Sequence, residues 1–515
     1  MADFEAKPRA RTISLKKPVG PGDLTYIDWW SPHVPCSVFP VPLYLPRTTP
    51  SVREQSCLMN HPAEEPTARL ARHGYLFLRP QYTIRDSLYG SVPLLPAAYK
   101  TLDTRLFQRL KHLKQLGPAY LVYPGATHTR FSHSVGVYHL ARLALQHLTA
   151  QADIEPEVGR ATLAAALLHD IGHFPFSHVL DDLSMHGKRL SHTELGVDLV
   201  QSDGELQSVL RDDWEVNSAL VLDIMSGTPN PRIPRFLYTL TDGPMDVDKL
   251  DYLNRDSHHS GAPYGRIEVQ RLIECLAVDP TTGELVITEP GVGTVESVVF
   301  AKYLMFRYVY WHHTSRIAGA MINRAVLDCL LALGVTELSV RHPLVHRVCM
   351  ATDATLGEEL RSMLHEANVA EPPALDLLQR VDDRRLYKRA LVIPCAQVPE
   401  EDARFRHSLA KRERESELAA AISAGLSESS PLDSSSVLID VPPVAKFAVD
   451  VSGVLVDDGG RSHVVPWEGS SQASYLTAET VAGMERSLRS VLYLCDTHRD
   501  DGEAVRQALG EAARG

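Results

Sequence analysis

From about residue 81 onward the chain spaces its apolar residues at helical intervals. FQRLKHLKQLG (107–117) repeats leucine at that spacing, and Gly117-Pro118 supplies a stop. Over 130–150, Val137, Leu140, Ala144 and Leu148 fall on one face, which predicts an amphipathic helix. Residues 160–172 are nearly all apolar, so a buried helix is predicted there. Further helices are predicted over 192–201, 215–226, 245–257 and 295–333. Residues 1–80 are rich in proline and aromatics and show neither helical period nor strand alternation, so an irregular extension is expected. The helical period weakens around 345–400, where RRLYKRALVIP (384–394) ends in a strand-like run. A charged helix (402–424) leads into a Ser-rich loop near 423–436. VLIDVPP, FAVDV and GVLVDD (437–458) read as short strands, before a last helix near 478–495. No internal repeat is found. The expected fold is mainly α: a helical core over 81–345 and a smaller α+β lobe over 346–515.

A length of 515 residues exceeds what one core ordinarily supports, which is consistent with that division. The hydrophobic fraction of 44% and charged fraction of 23% are those of a globular protein. A net charge of −12 disfavours an extended nucleic-acid track, which needs clustered positive surface. The seven cysteines are scattered without a CxxC pair, arguing against a zinc knuckle or a disulfide framework. The basic, polar N-terminus has no apolar core of a signal peptide, and no run approaches a membrane span. A cytoplasmic location and no membrane partner are therefore expected.

The chemistry concentrates in three segments: TRFSHSVGVYHLA (129–141), LLHDIGHFPFSH (167–178) and MDVDKLDYLNRDSHH (245–259). A His-Asp pair inside an apolar helix is costly unless satisfied, and a metal satisfies it. His133, His169, Asp170 and Asp248 make a mixed nitrogen and oxygen set suited to a divalent cation such as Mn, Fe, Zn or Mg. So few protein ligands leave positions for water and phosphate oxygens, as metal-assisted phosphoester hydrolysis requires. Asp181, one turn after His178, is placed to orient a histidine. Arg130, three residues before His133, can grip phosphate bidentately, and Lys249 and Lys302 add point charges.

The spacing H…HD…D, with the GHxPFxH extension and the DxDKLDY tail, resembles the HD-domain phosphohydrolases. FQRLKHLKQLGPAYLVYPGATHTRFSHSVGVYHLA (107–141), HDIGHFPFSH, DVDKLDYLNRDSHHSG (246–261) and VYWHHTSRIAGAMI (309–322) are similar to the deoxynucleoside triphosphate triphosphohydrolases. That group includes the vertebrate sterile-alpha-motif/HD enzyme and bacterial relatives. RRLYK (384–388) and VLIDVPPVAKFAVDV (437–451) extend the likeness more weakly, so that it covers roughly 80–460. Residues 1–80 do not read as a helical bundle, so no sterile-alpha-motif domain is expected.

The resemblance implies an HD-domain helical core and selects Asp248 over Asp246 as the fourth ligand. It implies His192 as general acid, with His173 and His178 lining the phosphate site. Gln115 and Leu116 are implied to face a deoxyribose, Tyr252 and Asp256 to contact sugar and phosphates, and Tyr310 to pack on sugar or base. It further implies a dNTP substrate, a homo-oligomer (dimer or tetramer) and an activating nucleotide at a subunit interface. Asp103, Gln108 and Arg384 match that activator pattern, whereas Lys111 stands where the vertebrate enzyme has arginine. Two other readings stay open: an HD-type nuclease or cyclic-nucleotide phosphodiesterase, and a non-catalytic nucleotide-binding module.

Overall fold

The computed structural model describes residues 72–76 and 81–513, except Pro244, 395–406, 427–431, 444–452, 459–460, 468–475, 489 and 499. The expected extension over 1–80, apart from 72–76, the FAVDV strand and the middle of the Ser-rich loop lie outside the described residues. All described residues belong to one unit, Ser56–Gly515.

The chain is mainly helical, with small sheets. A hairpin, β1 (Tyr82–Asp86) and β2 (Gly90–Leu94), precedes the helical body. Helical periodicity did not predict it. The signal is the turn, where Asp86 accepts from the backbone N–H of Leu88 and Tyr89 and Gly90 takes φ +72°. The body is α1 (Arg130–Leu148), α2 (Pro156–Leu168), α3 (His192–Ser202), α4 (Ser218–Ser226) and α5 (Val247–Ser260). Their apolar faces converge on one core, in which Leu140, Ala144, Leu163, Leu167 and Leu250 are fully or almost fully buried. Ser191 caps α3 by accepting from Glu194 N–H, the pattern S-x-x-E. Asp246 caps α5 in the same way through Lys249 N–H.

Two short strands, β3 (Leu276–Val278) and β4 (Leu285–Thr288), lead to α6 (Val292–Met305) and α7 (His313–Ala332). The single helix expected over 295–333 is therefore interrupted. Phe306–Tyr310 forms a wider turn, and the Trp311 N–H donates to Phe306 O, five residues back.

Where the helical period was expected to fade, three more helices pack: α8 (Pro343–Met350), α9 (Leu356–Glu366) and α10 (Asp376–Asp382). They share a second core with α7, which is why their apolar residues do not follow one simple stripe. The rest comprises β5 (Lys388–Pro394), α11 (Ser408–Gly425), β6 (Val437–Asp440), β7 (Val454–Asp458), β8 (Arg461–Val465), α12 (Ala478–Leu488), β9 (Ser490–Cys495) and α13 (Gly502–Ala512). The helix expected to run to 495 thus gives way to a strand at 490. The antiparallel sheet β5-β9-β6 is closed by α11 and α13 over a third core. A second sheet, ordered β8-β7-β4-β3, joins β7 parallel to β4 of the helical body.

The segment 107–117 also departs from expectation. Its helix ends at Arg109, a tight turn covers Leu110–His112, and Leu113 is extended. Tertiary pairing wins over propensity here: Gln115 N–H donates to His128 O, and Arg130 N–H to Leu113 O. Among the described residues no helix is long and apolar enough to cross a membrane, and Cys275, Cys329, Cys349 and Cys495 are free and buried.

Candidate metal centre and cavity

Helices α1 and α5 cross closely enough that a Cβ at Gly136 would sit 2.0 Å from Asp251 Oδ1. That approach lets His133, at the start of α1, meet the first turn of α5. His133 Nε2 lies 2.9 Å from Asp248 Oδ1 and 3.3 Å from His169 Nε2. His169, which follows α2, lies 3.7 Å from the same Asp248 oxygen. Asp170 Oδ1 is 3.3 Å from His169 Nε2, and its Oδ2 is 3.6 Å from His133 Nε2. Donor atoms of His133, His169 and Asp248 all lie within 4.8 Å of one another.

The outer nitrogens of both imidazoles are engaged. His133 Nδ1 donates to Asp251 Oδ2 at 2.7 Å, and His169 Nδ1 donates to Ala166 O at 2.9 Å. With Nδ1 so engaged, each Nε2 faces the other ring, and on giving up its proton it can ligate a cation held between them. Burial works against charge on His133, yet the hydrogen bonds it donates to Asp248 and Asp251 push its pKa up to about 10. The residues fit a divalent cation: two lone-pair nitrogens and an anionic oxygen, in a field that favours positive charge.

Asp246, the other carboxylate of DxD, is fixed by Lys249 N–H and Nζ and by Gly243 N–H. Asp251 is held in turn by Arg255 at 2.8 Å, and Arg255 reaches Asp86 of the hairpin at 2.8 Å. Asp251, Arg255 and Asp86 were not singled out from the sequence. The i,i+4 spacing of Asp251 and Arg255 on a helix was the available signal.

A second group of side chains adjoins the first. His173 Nε2 bonds Asp170 Oδ1 at 3.1 Å and its ring stacks on His192 with centroids 3.9 Å apart. Asp181 receives His178 Nδ1 at 2.9 Å and His192 Nδ1 at 3.1 Å. Burial opposes charge on His192, but the Asp181 carboxylate outweighs it and raises the pKa. Arg130 is buried, donating to Asp170 Oδ2 at 2.6 Å, to Ser177 Oγ at 3.1 Å and to His178 Nε2 at 3.3 Å.

His169, Asp170 and Asp248 of the first group and His173, His178, Asp181 and His192 of the second line one cavity of about 650 Å³. Gln115 and Leu116 line another wall, and Gln115 Oε1 is buried with no hydrogen-bond partner among the described residues. Tyr252, Asp256 and Tyr310 complete that wall. Tyr310 donates to Asp256 Oδ2 at 2.8 Å, and His128 holds the other oxygen at 2.8 Å. Lys249 and Lys302 also face the cavity. Burial and the nearby Lys249 push the Lys302 pKa down to about 8. Lys249 is already paired with Asp246 at 2.6 Å, so its charge is partly spent before any ligand arrives. Asp440 and Pro443 of the C-terminal part reach the same cavity.

Asp103, Gln108 and Arg384, matched to an activator pattern, and Lys111, which departs from it, do not line this cavity. Asp103 is exposed, Gln108 accepts from Lys111 Nζ at 2.7 Å, and Arg384 donates to Leu121 O at 3.2 Å.

Comparison with known proteins adds to this geometry. Residues 130–226 match the HD domain family, and residues 267–464 match the HD associated region. The chain thus carries an HD domain followed by an HD associated region. This HD-domain chain is 30% identical to an uncharacterized protein of Methanocaldococcus jannaschii over 60% of its own length and 59% of the relative's. It is 32% identical to YwfO of Bacillus subtilis over 43% of this chain and 50% of that protein. The deoxynucleoside triphosphate triphosphohydrolase SAMHD1 of Homo sapiens is 28% identical over 59% of this chain and 54% of the human protein. The chain therefore spans about half to three-fifths of the length of these relatives. Among solved structures, a phosphohydrolase from Bacteroides thetaiotaomicron superposes with a TM-score of 0.57 at 27% identity, covering 81% of this chain and 99% of that one. The HD domain and the phosphohydrolase neighbour support a metal-dependent phosphohydrolase.

Proposed function

We propose that this HD-domain protein hydrolyses deoxynucleoside triphosphates to deoxynucleoside and triphosphate. The observation that carries the reading is one cavity lined by His169, Asp170 and Asp248, with the buried His133 against them, beside a wall of Gln115, Leu116, Tyr252 and Tyr310. The naming of SAMHD1 relatives as deoxynucleoside triphosphate triphosphohydrolases supports the substrate class.

His133, His169, Asp170 and Asp248 would hold the divalent cation. Such an ion supplies Lewis acidity to a phosphoryl oxygen and makes nearby water more acidic. Arg130 is fixed by Asp170 and Ser177, so its planar fork is already oriented when phosphate oxygens arrive. Lys249 and Lys302 neutralise the remaining phosphate charge. His192 Nδ1 is committed to Asp181, which leaves Nε2 to give a proton to the departing 5′ oxygen of the nucleoside. Stacking on His173 restricts the plane of that ring. At the sugar end, Gln115 Oε1 offers an acceptor for a sugar hydroxyl, and Leu116 and Tyr310 leave an added 2′ hydroxyl without a partner. An acidic chain is ill suited to the nuclease alternative.

The metal requirement is tested by stripping the protein with a chelator and adding back Mn²⁺, Fe²⁺, Zn²⁺ or Mg²⁺ singly. Restored hydrolysis of a dNTP with at least one ion supports the reading, and undiminished turnover in the stripped protein would overturn it.

A further inference from the structure

Asp353 lies on the turn between α8 and α9, inside the HD associated region and far in sequence from the cavity segments at 114–116 and 176–178. Its side chain is only 4% exposed. One oxygen, Oδ1, accepts from Phe176 N–H at 2.7 Å, and the other, Oδ2, accepts from Lys114 N–H at 2.9 Å. Lys114 Nζ lies 3.6 Å from the same Oδ2. A single carboxylate thus joins two backbone segments, and each forms one wall of the cavity. Lys114 precedes Gln115 and Leu116, whereas Phe176 precedes Ser177 and His178.

The second segment is strained. Phe176 and Ser177 adopt φ +55° and +54°, a region that residues with a Cβ seldom occupy. Such backbone persists only where its surroundings hold it. Three further contacts hold this one. Ser177 Oγ donates to Lys114 O at 2.6 Å while accepting from Arg130 Nε. Gly117 packs so closely on Phe176 that a Cβ there would lie 2.6 Å from Phe176 O. Half-buried Arg109 donates to His173 O at 2.9 Å and to the carbonyls of Cys349, Met350 and Ala351, tying the same loop to the end of α8.

We infer that Asp353 is a positioning residue for the phosphohydrolase site. Its two carboxylate oxygens fix the distance between the sugar wall at Gln115-Leu116 and the histidine turn at Ser177-His178, and so set where the phosphate grip of Arg130 stands relative to the sugar. Asp353 touches no reacting atom. It acts through the backbone, and its charge matters because one anion must satisfy two N–H donors at once. The inference rests on the proposed use of the cavity for catalysis, but the staple itself does not.

The test compares Asp353→Asn with Asp353→Glu in the full chain. Asparagine keeps the shape but offers one acceptor oxygen, with an NH₂ facing the second N–H. Glutamate keeps two acceptors at the cost of one methylene. Two readouts are taken: kcat and KM on a dNTP, and amide hydrogen exchange over 113–117 and 173–178. Asp353→Asn is expected to lower kcat about tenfold to a hundredfold, the scale of an ångström of misplacement, with KM changed less and metal content kept. Exchange should quicken in at least one of the two segments, and Asp353→Glu should recover more of both signals than asparagine does. A role in packing alone reverses that order, favouring the isosteric asparagine. Unchanged exchange in both segments, or asparagine outperforming glutamate, would overturn the inference. A parent protein inactive on every dNTP would sink the proposed substrate instead, and the exchange comparison would then decide the staple by itself.

Discussion

His133 Nδ1 donates to Asp251 Oδ2 at 2.7 Å, across 118 positions of sequence, and this bond determines which nitrogen faces Asp248. Asp251 is itself clasped by Arg255, so ring orientation, tautomer and the α1–α5 crossing are fixed together. Replacing Asp251 by asparagine should therefore weaken cation binding by about tenfold to a hundredfold, as outer partners of ligand histidines usually do. Metal titration of the folded variant measures this. An unchanged affinity would mean that His133 does not ligate through Nε2. Stability should fall as well, since disrupting a buried ion network costs about 3–5 kcal/mol.

His192 separates proton transfer from metal binding. His192→Ala should keep the metal content of the parent while kcat falls by about a hundredfold to ten-thousandfold, the usual cost of losing a positioned acid. Elemental analysis alongside turnover decides it. Joint loss of metal and activity would make His192 a ligand.

The pH profile follows from Asp181. A general acid works while protonated, and Asp181 raises the His192 pKa above its ordinary value of 6.5. The protonated form then persists to higher pH, and kcat should fall only as pH climbs through that raised pKa. In Asp181→Asn the raising charge is gone, so the alkaline fall should begin at lower pH. A limb that stays in place would assign the proton to another group.

Sugar discrimination is predicted to sit at Gln115. Removing its side chain opens room beside Leu116, so Gln115→Ala should narrow the preference for a dNTP over the matching NTP by about tenfold. Competition assays with paired nucleotides read this ratio. A preference left intact would place the discrimination elsewhere in the cavity.

The sequence showed much of this site and little of what holds it. His133, His169, Asp170 and Asp248 stood out because a His-Asp pair inside the apolar stretch 160–172 demands an explanation. The structure brings donors of His133, His169 and Asp248 within 4.8 Å of one another, and Asp170 lies 3.3 Å from His169 Nε2. The buried α2 and the capped α3 followed from local patterning, which side chains a few residues apart determine. The hairpin at 82–94 and the broken helix at 107–117 were missed for the opposite reason. Leu113 is extended because it pairs with Arg130, and its own neighbours favour a helix. Lys249 read as a free cation, yet its charge is met by Asp246 three residues away. Asp86 and Asp353 gave no local sign, since their partners lie 169 and 177 residues distant.

The identity of the products decides whether the proposed reaction occurs. Purified protein with Mn²⁺ or Mg²⁺ is given dGTP with GTP, or dATP with ATP, and the products are resolved by chromatography. Deoxynucleoside and intact triphosphate are expected from the deoxynucleotides, with the ribonucleotides largely refused. Release of pyrophosphate, equal turnover of ribo- and deoxyribonucleotides, or no hydrolysis of any dNTP would contradict it.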